Sequence, residues 1–303
     1  MKKILVGVAG GERSDEAVVA ALALANKLGA ELELVHSVDV HAAHWPVVAR
    51  ARADAEIEAA RRSAGEAVAA HLRSRRDGGA PLTLRGAPIN DSLRVEVGSP
   101  AKVLLERAVA LPANLIVLGS HRKRGIFDFG NTARAVLAKA AAPVWVQHGW
   151  ARDVRTILAP VDLSDHSFAA LASGRNLAKK LGAKVTTLYC FVHPGYVYSL
   201  DSGAPMAMAI ERVEELRELA RKEYEKRIEG FDWQGVAHEA RFVDDDPIQG
   251  ILAVQDGADL IVMGTHGVTG LSAAVLGSTA YGVLSSARTP VLVLPHPERR
   301  YQL

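Results

Sequence analysis

The chain is one pattern written twice, and that repeat limits what it can fold into more than any other feature. "KKILVGVAGG" returns as "RTILAPVDLS", and "VVAALALANKLGAELELVHSV" returns as "FAALASGRNLAKKLGAKVTTLYCFV". "ANLIVLGSHR" returns as "ADLIVMGTHG", and "APVWVQH" as "TPVLVLP". Matched positions lie roughly 150 residues apart, too long a period for a solenoid, whose units are 20–50 residues. Two complete domains in tandem are expected, 1–148 and 154–303, with the linker at about His148 to Val154. The spacing drifts mainly in the second helix and the third strand.

Within each copy, short apolar runs alternate with longer amphipathic ones. "KILVGVAG" reads as a strand and Ser14 to Ala30 as a helix ending at a glycine turn. "ELELVHSV" is the next strand, followed by a long helix from Ala42 to Arg76. Then come "LRVEVG", the helix "PAKVLLERAVA", the strand "NLIVLGSH", the helix "TARAVLAKAA" and "PVWVQ". Strands separated by helices make βαβ units, so the fold class is α/β, with parallel sheets buried on both faces. Each half carries five strands and four helices.

Bulk properties exclude several classes. With 49% hydrophobic residues and a net charge of +2 over 303 residues, there is no global attraction to nucleic acid or membrane. The single cysteine, Cys190, cannot form an internal disulfide, which fits a reducing cytoplasm. "MKKILVGVAGG" is too short to span a membrane and is soon followed by Glu12, Arg13, Asp15 and Glu16, so no signal peptide is expected. There is no G-x-x-x-x-G-K-[ST] and no G-x-G-x-x-G after a strand, which argues against a P-loop nucleotidase and a dinucleotide dehydrogenase. Enzyme signatures are scarce.

Open parallel sheets bind ligands at the carboxyl ends of strands, where the winding reverses. In the second copy "APVDLS" puts Asp162 at one such end, and "MGTHG" puts Gly264 at another. The stretch "GTHGVTGLSAAVLGSTA", Gly264 to Ala280, joins glycines that admit positive φ and close approach to Gly277-Ser278-Thr279 at a helix start. Free N–H groups there favour an anion, and the hydroxyls add donors. A phosphate chain is the natural guest. Asp162 offers acceptors for a ribose hydroxyl, a base amino group or magnesium; the alternative reading of it is a cap for the helix that begins near Ser164.

The spacing Gly264, two residues, Gly267, nine residues, Gly277, Ser278, together with the aspartate in "PVDLS" and the tandem domain order, resembles the universal stress protein (UspA) family. The resemblance covers nearly the whole chain. It implies two doubly wound five-stranded domains of strand order 3-2-1-4-5, adenine nucleotide alpha hydrolase-like, with ATP bound in the C-terminal one as part of a regulatory, stress-survival module. By position it implicates Pro160, Val161, Asp162, Met263, Gly264, His266, Gly267, Gly277, Ser278, Thr279 and Ala280. Cys190 falls where the family contacts adenine through backbone. The resemblance also implies pairing through the last strands, "PVWVQ" and "PVLVLP", either in a homodimer or between the two domains of one chain.

The first copy has lost the matching groups. Ala9 stands at the Asp162 position, Arg122 at that of Gly267, and Gly130-Asn131 at that of Gly277-Ser278, with a loop two residues shorter. A poor or absent ATP site is expected there. "HRKRG" leaves three positive charges, read as solvated surface charge. Asp246 before Pro247 reads as a helix cap rather than a metal ligand. His41 and His44 share a helical face but lack further ligands nearby, and Cys190 reads as a packed core thiol. Two alternatives stay open: slow hydrolysis or transfer of the ATP phosphate, with Asp162 holding magnesium and His266 near the phosphates, and binding of a lipid or small metabolite beneath the long helices Ala42 to Arg76 and Met206 to Gly230.

Overall fold

A computed structural model describes residues 1–9, 11–39, 50–77, 79–120, 130–150, 152–194, 207–265 and 276–295, apart from the side chains of 50–53 and 207–211. The chain divides into two compact units between Arg152 and Asp153. The N-terminal unit runs β1 (Lys3–Gly7), α1 (Glu12–Leu28), β2 (Glu31–Val38), α2 (Arg50–Ser74), β3 (Leu93–Val97), α3 (Pro100–Ala110), β4 (Leu115–Gly119), α4 (Asn131–Lys139) and β5 (Val144–Gln147). The C-terminal unit runs β6 (Thr156–Pro160), α5 (Asp165–Leu181), β7 (Lys184–Phe191), α6 (Ala207–Glu229), β8 (His238–Asp244), α7 (Pro247–Val254), β9 (Leu260–Gly264), α8 (Ser278–Ser286) and β10 (Val291–Leu294).

The first unit orders its strands β3-β2-β1-β4-β5, and the second β8-β7-β6-β9-β10, with every pair parallel. This is the 3-2-1-4-5 order, twice. The apolar runs explain it. Ile4, Leu5, Ile116, Val117, Ile157 and Leu260 are fully buried, as central strands covered by helices on both faces require. The edge strand β8 is mostly exposed and carries a Glu239–Arg241 ion pair at 2.9 Å, charge that discourages another chain from adding to the edge.

Local signals fix most helix ends. Gly29 and Gly182 follow α1 and α5 with φ of 65° and 69°, and the next amides, Ala30 and Ala183, reach back to the Ala25 and Ala178 carbonyls. That left-handed stop suits glycine, which has no Cβ to clash. Two boundaries differ from the sequence reading, and a third lies outside the described residues. α1 begins at Glu12 rather than Ser14, because Ser14 is buried and its Oγ accepts from the Ala9 amide instead of capping the helix. α2 spans Arg50–Ser74, with 42–49 outside the described residues. The predicted end at Arg76 is instead part of a two-residue ladder with Ala80–Pro81, followed by a second, Thr83–Leu84 with Ala87–Pro88. Arg85 and Gly86, at φ 51° and 87°, turn that second hairpin, matching the twist of a two-residue loop.

Candidate functional site

The carboxyl ends of β6 and β9 form the floor of the site. They are parallel neighbours, with Ile157 beside Leu260 and Leu158 beside Ile261. β7 lies on the other side of β6, with Pro160 beside Leu188. The winding therefore reverses at β6, and the features expected to share one crevice leave the sheet from adjacent strands.

Beyond Pro160, Val161 is buried and its amide donates to the Leu188 carbonyl at 2.9 Å, so pairing continues one residue past the strand. The chain then turns sharply. Asp162 Oδ1 accepts from the Ser164 amide at 3.0 Å and from Ser164 Oγ at 2.5 Å, while the Asp162 amide donates to Ser167 Oγ at 3.3 Å. Ser164 in turn caps α5, its Oγ accepting from the Ser167 amide. Such caps contribute about 1 kcal/mol. Asp162 thus orders the turn before α5, while the cap its position suggested is supplied by Ser164. Leu163, between them, has φ of 64°, a left-handed conformation that costs a side-chain-bearing residue about 1–2 kcal/mol.

On β9, Met263 is buried and Gly264 pairs with Leu294. The Thr265 amide donates to the Leu294 carbonyl at 3.0 Å, and the Thr265 carbonyl accepts from the Gly277 amide at 2.8 Å. That bond ties the start of α8 to the end of β9. The Gly277 amide is consequently committed to protein, and the first-turn amides without helical partners are those of Ser278, Thr279 and Ala280. Among the described residues no side chain caps α8, whereas Ser164 caps α5 and Asp246 caps α7. Ser278 is exposed, Thr279 half-buried and Ala280 buried. His266 and Gly267 lie outside the described residues.

Cys190 sits near the end of β7, beside Val243. Its Sγ packs against α7 so closely that a Cβ at Gly250 would lie 2.8 Å away. It is half-buried rather than a fully packed core thiol. Burial first, then the charges of Asp245 and Asp246, push the thiol up to about 12, so it stays protonated and is a poor nucleophile. Its neighbour Tyr189 was missed by sequence reasoning. That ring stacks 5.3 Å from Phe242, and its hydroxyl is raised by burial and then by the Asp162 charge, which marks it as close to the site. The only sequence signal was an aromatic alternating with Cys190. Arg227 was missed as well: its Nη1 donates to the Leu163 carbonyl at 2.5 Å from α6, far off in sequence.

The acidic run before α7 is structural. Asp246 Oδ1 accepts from the Ile248 and Gln249 amides, Pro247 opens the helix, and Asp244 pairs with Arg217 at 2.6 Å. Among the described residues no three His, Cys, Asp or Glu are grouped to hold a metal ion. His41, His44 and the "HRKRG" segment lie outside the described residues.

The N-terminal unit repeats the scaffold with a different residue at the turn after its first strand. The Ala9 amide donates to Ser14 Oγ at 3.1 Å, as the Asp162 amide does to Ser167 Oγ, and the Val8 amide donates to Val35 as Val161 does to Leu188. Ala9 is therefore the spatial counterpart of Asp162, with a methyl where the carboxylate would be. Over the end of β4, the Arg13 backbone presses on Gly119: a Cβ there would lie 2.3 Å from the Arg13 carbonyl oxygen. Two buried carboxylates follow in α1. Asp15 is held by His71 at 2.8 Å and Arg75 at 2.7 Å, and Glu16 by Arg13 at 3.4 Å.

The sequence model of the universal stress protein family matches the chain twice, over 1–148 and 153–295. A universal stress protein of Methanocaldococcus jannaschii is 34% identical over 149 residues, which cover 48% of this chain and 84% of that protein. One of Mycolicibacterium smegmatis is 27% identical over 300 residues, 96% of each chain. The crystal structure of a universal stress protein from Archaeoglobus fulgidus matches with a TM-score of 0.64 at 17% identity, covering 97% of this chain and 98% of that one. The shared fold is adenine nucleotide alpha hydrolase-like.

Proposed function

The chain belongs to the universal stress protein family, and from that premise we propose that its C-terminal domain binds ATP, with or without magnesium, as a regulatory module acting in stress survival in the cytoplasm. One observation carries the reading. Neighbouring strands β6 and β9 bring a carboxylate-bearing turn and an uncapped helix start to the same edge of one sheet. The amides of Ser278, Thr279 and Ala280 and the two hydroxyls suit a phosphate chain, since helix N-termini attract anions. Asp162 suits the other end of the ligand, where ribose hydroxyls or a base amino group need acceptors; Pro160, Val161, Met263, Gly264 and the Cys190 backbone would line the space between. Magnesium, if bound, would be held through Asp162 and the phosphates and would neutralise their charge.

The N-terminal domain lacks the carboxylate at Ala9 and has backbone packed over Gly119, so the proposal is one nucleotide per chain. Among the described residues no helix is long and apolar enough to cross a membrane. Calorimetric titration of the full chain with ATP and magnesium tests the reading: one site per chain, abolished in Gly267→Arg, is expected, and absence of binding overturns it. Homodimer formation belongs to the same proposal and is read by light scattering with and without ATP.

A further inference from the structure

Arg227, near the end of α6, grips the turn that carries Asp162. Its Nη1 donates to the Leu163 carbonyl at 2.5 Å, its Nη2 reaches Asp165 Oδ1 at 3.4 Å, and its Cζ lies 4.1 Å over the Phe168 ring. One planar guanidinium can serve a carbonyl, a carboxylate and an aromatic face together; an ammonium cannot.

The same peptide group is held from both ends. Its carbonyl, from Leu163, accepts from Arg227, and its N–H, from Ser164, donates to Asp162 Oδ1. If that peptide rotated, Arg227 and Asp162 would lose their bonds at once. Leu163 holds the left-handed conformation without being glycine, so the turn depends on contacts from outside itself.

The first copy supplies the contrast. It spells the turn Ala9-Gly10-Gly11, with glycine at φ 97° at position 11, and has no carboxylate to place. There His71, in the last turn of α2, and Arg75, just beyond it, turn instead to the buried Asp15. The helix cation reaches the turn in the copy that has the carboxylate.

We propose that Arg227 is a positioning residue: through the Leu163–Ser164 peptide it orients the Asp162 carboxylate for the ligand. The role rests on the nucleotide reading above. Its donors are directed at Leu163 and Asp165, so it acts through Asp162 rather than on the phosphates.

The test uses the full chain and the variants Arg227→Gln, Arg227→Lys, Asp162→Asn and Arg227→Gln/Asp162→Asn, with two readouts. The first is amide exchange at Ser164 without ligand. Faster exchange in Arg227→Gln at an unchanged urea midpoint, partly restored in Arg227→Lys, is expected; unchanged exchange overturns the clamp whether or not ATP binds. The second is the ATP dissociation constant with magnesium. Arg227→Gln is expected to raise it about tenfold, the scale of one charge-assisted hydrogen bond, and to add nothing in the Asp162→Asn background. Additive losses indicate a separate structural or phosphate-binding role and overturn the proposal. No ATP binding by the wild type overturns the nucleotide reading, and leaves the exchange result to decide the clamp by itself.

Discussion

The Gly277 amide donates to the Thr265 carbonyl at 2.8 Å, and this bond ties the start of α8 to the end of β9. Gly277 has φ of −61°, a value proline adopts. Gly277→Pro therefore suits the local φ, but it removes the donor and sets the ring Cδ against the Thr265 carbonyl, so the neck must open. It leaves the Thr265 carbonyl without this partner at a cost of about 1–3 kcal/mol. The expected outcome is a lower unfolding midpoint in urea and at least tenfold weaker ATP binding by calorimetry. Unchanged affinity would separate the neck from the ligand.

Asp162→Asn and Asp162→Ala should part company. The asparagine carbonyl still accepts from Ser164, so stability stays within about 0.5 kcal/mol while the loss of charge weakens ATP binding. Alanine loses the turn bonds too, and a further loss of about 1 kcal/mol in urea unfolding is expected. Equal stability of the two variants would deny Asp162 its role in ordering the turn.

Gly119→Ala sets a methyl 2.3 Å from the Arg13 carbonyl oxygen. Backbone must move, and the N-terminal domain should lose about 3 kcal/mol or more. Proteolysis and urea unfolding should report damage confined to that half. ATP stoichiometry at the C-terminal site is expected to remain one per chain.

His148 is held neutral: burial, then the Arg13 charge, lowers its imidazole to about 4 from the ordinary 6.5. A base whose folded value is depressed binds its proton more readily when unfolded. Stability of the N-terminal domain is therefore fully present above pH 6.5 and falls on acidification between 6.5 and 4. His148→Gln should flatten that segment of the urea-midpoint profile. An unchanged slope would assign the acid sensitivity elsewhere.

The strands themselves and both crevice-lining strand ends were legible in the sequence because burial leaves a local mark, whereas the sheet order was implied only by the family resemblance. A central parallel strand must be apolar on both faces, and "KILVG" and "TILAP" show it directly. Glycine after "NKL" and "KKL" stops helices through its own φ. The missed hairpins after α2 have the same kind of signal, Arg85-Gly86, but too few residues to stand out.

Sequence by itself determined the tandem α/β architecture and the contrast between Asp162 and Ala9, since each follows from residue type and order along the chain. Tertiary structure alone decided that Arg227 holds the Asp162 turn, that Gly119 lies under Arg13, and that Asp15 rather than a turn receives His71 and Arg75. The reason is physical: periodicity records which face of an element is buried, but which distant side chain meets a given peptide depends on how two helices pack on a shared sheet.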